Sequence, residues 1–283
     1  MERLRQMAFI KRCSEWLLNI ILTILALVAL WLLCLVFIYS TFTIPTESMM
    51  PALNPKDRVV VWKMEAGARI FSLRDAFKHK PLKIYRVPGI SIIDRNDIVI
   101  FNYPYPERWD SIGFDVKLYY AKRCVALPGD SFEIRHGVFQ VRKYRGSLGY
   151  LPKQREIGDK FSFTNDQTVL RKIKGYESYP YDSIIQWNIV DFGPLYLPKA
   201  GDHINLSRKH YVLYRNLIAW ETRSVVRIQG DSVFIDDRHI DNYTFTHNYY
   251  FVAGDDCTNS SDSRYWGLLP DDYIVGKAHK IDL

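Results

Sequence analysis

Three short polar clusters, far apart in the chain, carry side chains that could together cleave an amide or ester bond. The first, residues 48–51, reads Ser-Met-Met-Pro and offers Ser48 as a nucleophile. The second holds Lys122 and Arg123 and runs into Leu-Pro-Gly-Asp at 127–130, and the third reads Gly-Asp at 254–255 and Ser-Ser-Asp-Ser-Arg at 260–264. A serine hydroxyl needs a nearby proton acceptor to become a nucleophile, and a neutral lysine amine can serve. The joint pattern predicts serine–lysine chemistry.

The commoner catalytic arrangements lack a motif in this sequence. None of the seven histidines stands in a pattern that ties it to Ser48, and the Gly-x-Ser-x-Gly elbow is absent because Glu47 and Met49 flank the serine. The chain has neither His-Glu-x-x-His nor paired Cys-x-x-Cys, so no metal and no other cofactor is predicted. Each cluster alone is typical of an ordinary turn or strand edge, so the prediction depends on their joint occurrence.

A lysine that acts as a base must lie in an apolar wall. At the ordinary lysine pKa near 10.4, keeping the amine neutral at pH 7 costs about 4.6 kcal/mol, and burial can lower a lysine pKa by roughly 3–5 units. Lys122 stands between Tyr-Tyr-Ala at 119–121 and Cys-Val-Ala-Leu at 124–127, a pattern that predicts a strand. Arg123 then points to the opposite face, where it can pair with a carboxylate, and its charge should lower the Lys122 pKa further.

A long apolar run near the N-terminus predicts a membrane anchor. From Trp16 to Tyr39 the chain has 24 residues, and the clearly polar ones are Asn19 and Thr23. As a helix this run covers ~36 Å, enough for a bilayer core of about 30 Å. A cleaved secretory signal is the competing interpretation, but it should be shorter and end in a small-residue cleavage site. The positive-inside rule places the N-terminus in the cytoplasm, because basic residues precede the run: Arg3, Arg5, Lys11 and Arg12.

Composition narrows the class of protein. The 283 residues can bury a substantial core, and an aromatic content of 14% favours strands over helices. A net charge of +7 suits an anionic membrane surface or nucleic acid, but no nucleic-acid-binding signature accompanies it, so no nucleic-acid partner is predicted. The four cysteines are too few for a disulfide framework. Cys124 and Cys257 either form one bridge, if their clusters meet, or stay as two buried free thiols.

The region after the apolar run shows short alternation rather than helical periodicity. Residues 57–62 and 97–101 read as strands, residues 131–141 and 225–240 as hairpins, and residues 73–79 as a short helix. Glycines, prolines and tyrosines crowd residues 143–201, which predicts a loop-rich insertion. The predicted organisation is a cytoplasmic tail at 1–15, a transmembrane anchor at 16–39, a catalytic β core at 40–142 and 251–283, and a loop-rich β insertion at 143–250.

The joint pattern resembles the type I signal peptidases, the bacterial leader peptidases that trim exported preproteins. The matching segments are residues 44–51, 95–101, 120–130 and 254–267. The resemblance implies a Ser48 nucleophile with Lys122 as general base, and an oxyanion site formed by the Ser48 backbone N–H and the Thr46 hydroxyl. It also implies that Ser260 orients the lysine, and that Asp262 and Arg264 form an ion pair holding the third cluster in place.

The same resemblance implies a mainly β catalytic domain of coiled antiparallel sheets, anchored by one N-terminal transmembrane helix. The implied substrates are preprotein signal peptides with an Ala-x-Ala cleavage site, and the implied location is the plasma (inner) membrane with the catalytic domain outside the cytoplasm. Residues 256–258 read Asp-Cys-Thr where the family usually has Asn-Arg-Asp. Ala121 stands where a bulkier residue often precedes the lysine, so a substrate pocket walled with Ile44 and Tyr120 should be wider than usual.

Three other functions are compatible with parts of the pattern. A self-cleaving repressor would share the serine–lysine mechanism but would carry a DNA-binding motif and no anchor. A membrane-anchored binding domain that has lost catalysis would be expected to have lost Ser48 or Lys122. A dedicated processing peptidase for a narrow set of exported proteins shares every motif with a general enzyme, so this alternative stays open.

Overall fold

The described residues of the computed structural model, 2–78, 80 and 82–281, form a mainly β protein, as predicted. The strands are numbered in chain order: β1 (Tyr39–Thr43), β2 (Arg58–Trp62), β3 (Arg69–Ile70), β4 (Tyr85–Arg86), β5 (Ile98–Asn102), β6 (Tyr119–Ala126), β7 (Ser131–Arg135), β8 (Val138–Val141), β9 (Phe192–Tyr196), β10 (His203–Asn205), β11 (Val226–Gln229), β12 (Ser232–Ile235), β13 (Arg238–His239), β14 (Asn242–Thr244), β15 (Tyr249–Ala253), β16 (Leu269–Pro270) and β17 (Ile274–Lys280).

The helices are mostly short. They are α1 (Glu2–Phe37), α2 (Lys63–Ala66), α3 (Leu73–Phe77), α4 (Leu151–Lys160), α5 (Gln167–Leu170), α6 (Arg208–Thr222) and α7 (Ser263–Trp266). Three 3-10 turns cover Glu47–Met49, Cys257–Asn259 and Asp271–Tyr273. The predicted helix at 73–79 is α3, and its last predicted residue, His79, lies outside the described residues.

One seven-stranded sheet organises the protein, with its strands in the order β1-β2-β17-β5-β6-β15-β16 and every neighbouring pair antiparallel. Strand β6 lies inside this sheet between β5 and β15, and Lys122 is paired with Val99 of β5. Strand β15 ends at Ala253, which is paired with Arg123 of β6. The third cluster, which begins at the next residue, Gly254, therefore starts beside the second cluster. The topology thus brings the second and third clusters together.

The N-terminal helix is long and apolar enough to cross a membrane. Within its stretch Phe9–Phe37, an 18-residue window has a mean hydropathy of 3.1, and none of that window is buried against the rest of the protein. The helix ends at Phe37, and Tyr39 opens strand β1, so the predicted span of 16–39 runs two residues past the helix. The backbone N–H of Lys63 donates to the Ile38 carbonyl at 2.7 Å and its Nζ to the Leu35 carbonyl at 2.5 Å, which joins the helix end to the sheet.

The hairpins form where the sequence predicted them. Strands β7 and β8 are joined by His136 and Gly137, both at positive φ, and the β11–β12–β13 meander turns at residues 230–231 and 236–237. Glycine or a residue tolerant of the left-handed region is favoured at such turns. The hairpin β7–β8 pairs with β9 and packs Phe132, Ile134 and Phe139 into the largest core.

The inserted region is more helical than the sequence indicated. Helix α6 begins after Ser207, whose hydroxyl accepts from the backbone N–H of His210. Its buried stripe consists of Leu213, Tyr214, Leu217 and Ile218. This spacing places all four side chains on one helix face, so the helical period was present. The prediction of a loop-rich β insertion missed it because tyrosine and β-branched residues, abundant here, also favour strands.

Candidate active site

Ser48 lies in the 3-10 turn Glu47–Met49, which follows β1. The residue is 7% exposed, and the neighbouring Met49, 1% exposed, is fixed in a core with Leu53 and Ile100. The Ser48 carbonyl accepts from the backbone N–H of Asp256 at 3.1 Å. The first cluster is therefore joined to the third by a main-chain hydrogen bond, and its hydroxyl is held at the sheet surface.

Lys122 reaches this hydroxyl directly. Its Nζ donates to Ser48 Oγ at 2.6 Å, and the residue is 4% exposed. Burial lowers the Lys122 pKa to about 8, since an apolar environment disfavours the ammonium form. The predicted strand position among apolar neighbours is confirmed. At this pKa the neutral amine at pH 7 costs only about 1.4 kcal/mol, so a useful fraction of the protein holds Lys122 as a base.

Three charged groups also change the Lys122 pKa, each by less than burial does. Asp262 and Asp255 raise the Lys122 pKa, and Arg264 lowers it. The predicted pairing of Arg123 with a carboxylate is confirmed, because its guanidinium binds Asp255 through contacts of 2.6 and 2.5 Å. The cation that lowers the Lys122 pKa is nevertheless Arg264. The predicted lowering of the Lys122 pKa by Arg123 is not found, because the Arg123 side chain points to the opposite face of β6.

Thr46, whose hydroxyl is one of the two predicted oxyanion donors, lies next to Ser48. Thr46 Oγ1 is 3.3 Å from Ser48 Oγ, and Thr46 immediately precedes the 3-10 turn that holds the serine. The first N–H groups of a helical turn lack a partner within the turn. A carbonyl carbon beside Ser48 Oγ would therefore place its oxygen within reach of a hydroxyl and a backbone donor.

Asp262 and Arg264 form a fully buried pair with no exposed side-chain surface. Arg264 donates to the Asp262 carboxylate from Nε and Nη2, both at 2.8 Å, and also to the Cys257 carbonyl at 2.9 Å. The backbone N–H of Gly254 donates to Asp262 at 3.0 Å. Burial alone would raise the Asp262 pKa, but Arg264 reverses the effect and lowers it. The pair ties the two ends of the third cluster to each other.

Ser260 does not bond to the lysine in this structure. Its Oγ is buried and has no hydrogen-bond partner among the described residues, although it is near enough to Asp262 to contribute to the lowered pKa of that carboxyl. Gly254 explains how closely the segments approach. A β-carbon on Gly254 would lie 2.3 Å from Ser260 Oγ and 2.5 Å from the Ser48 carbonyl oxygen, so only glycine fits between them.

The three residues predicted to wall a substrate pocket are divided between two faces of β6. Ile44 is buried in one core, and Ala121 packs against that same core. Tyr120 points the other way, where its ring lies 5.6 Å from Lys122 Nζ and stacks on Tyr103. Successive strand residues alternate in direction, which accounts for the separation.

Two further sets of side chains could in principle do chemistry: the two buried cysteines and a cluster of one histidine and two aspartates. Cys124 and Cys257 are free, and burial raises the pKa of both thiols, which makes them unreactive. The ligand atoms of His247, Asp271 and Asp272 lie within 4.8 Å of one another and could hold a cation. His247 Nδ1 already contacts Asp271 Oδ1 at 3.0 Å, and no atom of this group is required by chemistry at Ser48.

Sequence reasoning gave no role to Asp255, which holds Arg123, or to the contact of Gly254 with the Ser48 carbonyl. The sequence motif included both residues as the Gly-Asp pair at 254–255. The sequence could not predict the strand register that places this pair beside Arg123. That register comes from the pairing of Ala253 with Arg123 and includes an irregularity between Phe251 and Val252.

Replacing Lys122 by methionine is expected to stabilise the fold below pH 8. The unfolded lysine has a pKa of 10.5 and the folded one about 8, so below the folded value its burial lowers the free energy of unfolding by about 3 kcal/mol. This loss shrinks as pH rises toward the unfolded pKa. Denaturant unfolding of Lys122→Met in detergent should show a gain at about pH 6 that largely vanishes at about pH 10. Lys199→Met, which removes an exposed lysine, is the control for the loss of one charge. A pH-independent difference for Lys122→Met would contradict the burial effect.

Gly254→Ala should displace the nucleophile without unfolding the protein. The new methyl group would overlap the Ser48 carbonyl, and a shift of about 1 Å at a reacting atom lowers the rate by roughly 100-fold. The measurement is kcat/KM on any substrate that the wild type cleaves. Gly113→Ala is the matched control, because its new β-carbon would meet only ordinary contacts near 3.5 Å. Equal activity of the two variants would refute the predicted clash.

Known proteins resemble this chain over most of its length. The family described as "Signal peptidase, peptidase S26" matches residues 15–185 and 200–281. Signal peptidase I of Buchnera aphidicola subsp. Schizaphis graminum is 28% identical over 87% of this chain and 68% of its own, and signal peptidase I of Pseudomonas aeruginosa is 27% identical over 87% and 65%.

A solved signal peptidase I from Enterococcus faecalis V583 shares 20% identity over 67% of this chain and 98% of its own. The TM-score of this comparison is 0.29. The family match spans most of the chain and agrees with the resemblance seen in the sequence motifs. The chain therefore belongs to the signal peptidase family, peptidase S26.

Proposed function

We propose that this protein removes signal peptides from exported preproteins by a Ser48–Lys122 mechanism at a membrane surface. The observation that carries the proposal is the 2.6 Å contact between Lys122 Nζ and Ser48 Oγ in a buried setting that lowers the Lys122 pKa to about 8. A lysine with this pKa is a competent proton acceptor near neutral pH. The intact contact also favours an active enzyme over a binding domain that has lost catalysis.

In the proposed reaction, neutral Lys122 takes the proton of Ser48 Oγ as the oxygen attacks the scissile carbonyl. The negative charge on the carbonyl oxygen is stabilised by the Ser48 backbone N–H and by Thr46 Oγ1. Removing one such donor typically lowers the rate by 10²–10³-fold. Lys122 then gives its proton to the departing amine, and the mature protein leaves. A water molecule, deprotonated by Lys122, hydrolyses the acyl-enzyme and releases the signal peptide.

The supporting residues would act on the geometry of the dyad. Asp262 and Arg264 fix the third cluster, whose Asp256 N–H binds the Ser48 carbonyl. Ser260 is buried next to Gly254, and its hydroxyl has no hydrogen-bond partner among the described residues. This hydroxyl would orient Lys122 once substrate is bound. The substrate would be an extended segment with small side chains at its first and third positions before the cut, the Ala-x-Ala type.

The apolar helix α1 anchors the protein in a membrane, and we assign this to the plasma (inner) membrane, with the N-terminus in the cytoplasm and the catalytic domain outside. The assignment rests on the basic residues that precede the apolar run and on the export role of signal peptides. The anchor would be residues 16–39, the tail 1–15, the catalytic core 40–142 and 251–283, and the insertion 143–250. The lipid bilayer is then a partner, and neither nucleic acid nor metal is needed.

The pH dependence of cleavage tests the dyad. Below its pKa Lys122 is an ammonium ion and cannot accept a proton, so kcat/KM should rise about tenfold per pH unit and level off above about pH 8. The assay is cleavage of a preprotein with an Ala-x-Ala site by the full chain in liposomes. Ser48→Ala and Lys122→Ala should both be inactive at every pH. A Lys122→Ala variant that still cuts would refute the assignment of the base.

Ala121 should widen tolerance at the third position before the cut, from Ala to Val, Leu or Ile. Ala121 is half-buried on the face of β6 that it shares with Ile44, whereas Tyr120 points to the other face, so the predicted pocket is reduced to Ile44 and Ala121. Isoleucine at position 121 would fill space on that shared face. Ala121→Ile should therefore restrict cleavage to the Ala substrate in a panel of otherwise identical preproteins. Ala278→Ile adds the same bulk to the same core from β17 and is the control, expected to keep the wild-type preference. An unchanged preference in Ala121→Ile would contradict the pocket assignment.

A further inference from the structure

A cavity of about 190 Å³ lies where the sheet meets the inserted region. Helix α6 contributes Val212 and Arg215 to it, and the third cluster contributes Ser261. Most of its wall is aromatic, formed by Tyr103, Trp109, Tyr179, Tyr181, Tyr265 and Trp266. A space of this kind next to a catalytic site can bind part of a substrate.

The cavity lies close to the catalytic dyad. Tyr103 of its wall stacks on Tyr120 with ring centroids 4.7 Å apart, and the Tyr120 ring centroid is 5.6 Å from Lys122 Nζ. Ser261 follows Ser260 directly in the chain and precedes Asp262. One pair of stacked rings therefore separates the cavity from the reacting groups, and a polypeptide held at Ser48 could reach it within a few residues.

Two residues that line the cavity, Trp266 and Arg215, carry hydrogen-bond donors. Trp266 is 7% exposed, and its indole Nε1 is buried without a hydrogen-bond partner among the described residues. Arg215 is half-buried, and its guanidinium carbon lies 5.8 Å from the ring centroid of Tyr211. The described residues that line the cavity include no carboxylate. A buried donor without a partner is unfavourable, so this wall is suited to an occupant that brings an acceptor.

The size and chemistry of the cavity favour an aromatic side chain. A cavity of about 150 Å³ is known to accommodate benzene, so a phenol ring fits in the space available here. Ring walls attract another ring through offset or edge-to-face contacts. The phenol oxygen of a tyrosine, or the carbonyl of its own backbone, could accept from Trp266 Nε1 and from Arg215. Lysine would be disfavoured, because its ammonium group would face Arg215 and offers no acceptor.

The place of the cavity in the sheet indicates which part of the substrate it would meet. Strand β1 follows directly after the apolar helix, so the membrane side of the sheet is its β1 edge. The cavity is lined by Trp266, just before β16 at the opposite edge, and by the insertion. A signal peptide enters from the membrane, and the mature part of the preprotein leads away from it.

We propose that this cavity binds an aromatic residue, tyrosine above all, in the mature part of the preprotein shortly after the scissile bond. The proposal rests on the function proposed above and assigns to that enzyme a specificity site for the segment it releases. Trp266 and Arg215 supply the donors, and the aromatic wall supplies the stacking surface. Preproteins with a tyrosine at the matching position would be cleaved faster than those with alanine there.

A preprotein series tests this directly. All members share one Ala-x-Ala site and differ only in carrying Ala, Phe, Tyr or Lys at successive positions after the cut. The full chain in liposomes should cleave the Tyr member with a kcat/KM about 10-fold above that of the Ala member at one position, as burial of a ring would give. The Phe member should fall between them. Cleavage of the Ala member with no aromatic preference at any position would overturn the inference and leave the proposed function standing. Failure to cleave any member would overturn both.

Two variants locate the preference. Val212→Trp fills the cavity and should bring the Tyr-to-Ala ratio of kcat/KM to about one, whereas Val225→Trp makes the same change at an exposed position and should keep the wild-type ratio. Arg215→Met keeps the apolar stem but removes the donors, and should lower the Tyr-to-Phe ratio by about fivefold.

Arg208→Met is the control for the arginine change, since Arg208 is exposed on the same helix and does not line the cavity. Wild-type ratios in both Val212→Trp and Arg215→Met would overturn the assignment. An aromatic preference that Val212→Trp removes at a position before the cut would overturn the orientation, because the cavity would then read the signal peptide.

Discussion

The burial of one amine determines how the rest of this structure is arranged. Lys122 must lose its proton to act as a base, and burial supplies most of the shift that makes this possible. The strand that carries this amine, β6, is an inner strand with β5 on one side and β15 on the other, which keeps the amine away from a solvated sheet edge. An edge strand would leave the amine in water and its pKa near the ordinary value.

Burial has a larger effect on the Lys122 pKa than the charged groups around the amine. Asp262 by itself raises the Lys122 pKa. Arg264 opposes this effect, because it forms a fully buried pair with Asp262 and because its own positive charge lowers the Lys122 pKa. Asp255 is likewise held by Arg123. Each carboxylate near the amine thus has its own arginine. A buried pair of this kind contributes little net stability, and removing one partner is strongly destabilising, so its value here is positional.

The sequence predicted the parts of this site that follow from local patterns. The strand that holds Lys122, the alternation that sends Arg123 to a carboxylate, and the hairpin at 131–141 all depend on a period of two, which a short segment shows clearly. Which cation acts on Lys122 could not be predicted, because Arg264 reaches it through the folding of the third cluster. Helix α6 was missed although Leu213, Tyr214, Leu217 and Ile218 have helical spacing, since tyrosine-rich segments also favour strands.

The linkage between anchor and site is short and largely structured. Tyr39 to Thr43 form β1, which pairs with β2 along its whole length, and a five-residue strand covers ~17 Å. Lys63 binds the Leu35 and Ile38 carbonyls at the end of the apolar helix, so the chain between helix and sheet has little freedom. Ser48 follows β1 by only a few residues and is fixed again through Met49 and the Asp256 N–H. The height of Ser48 above the apolar helix is therefore set by one paired strand. In the proposed function, this constraint would limit cleavage to bonds presented close to the membrane surface.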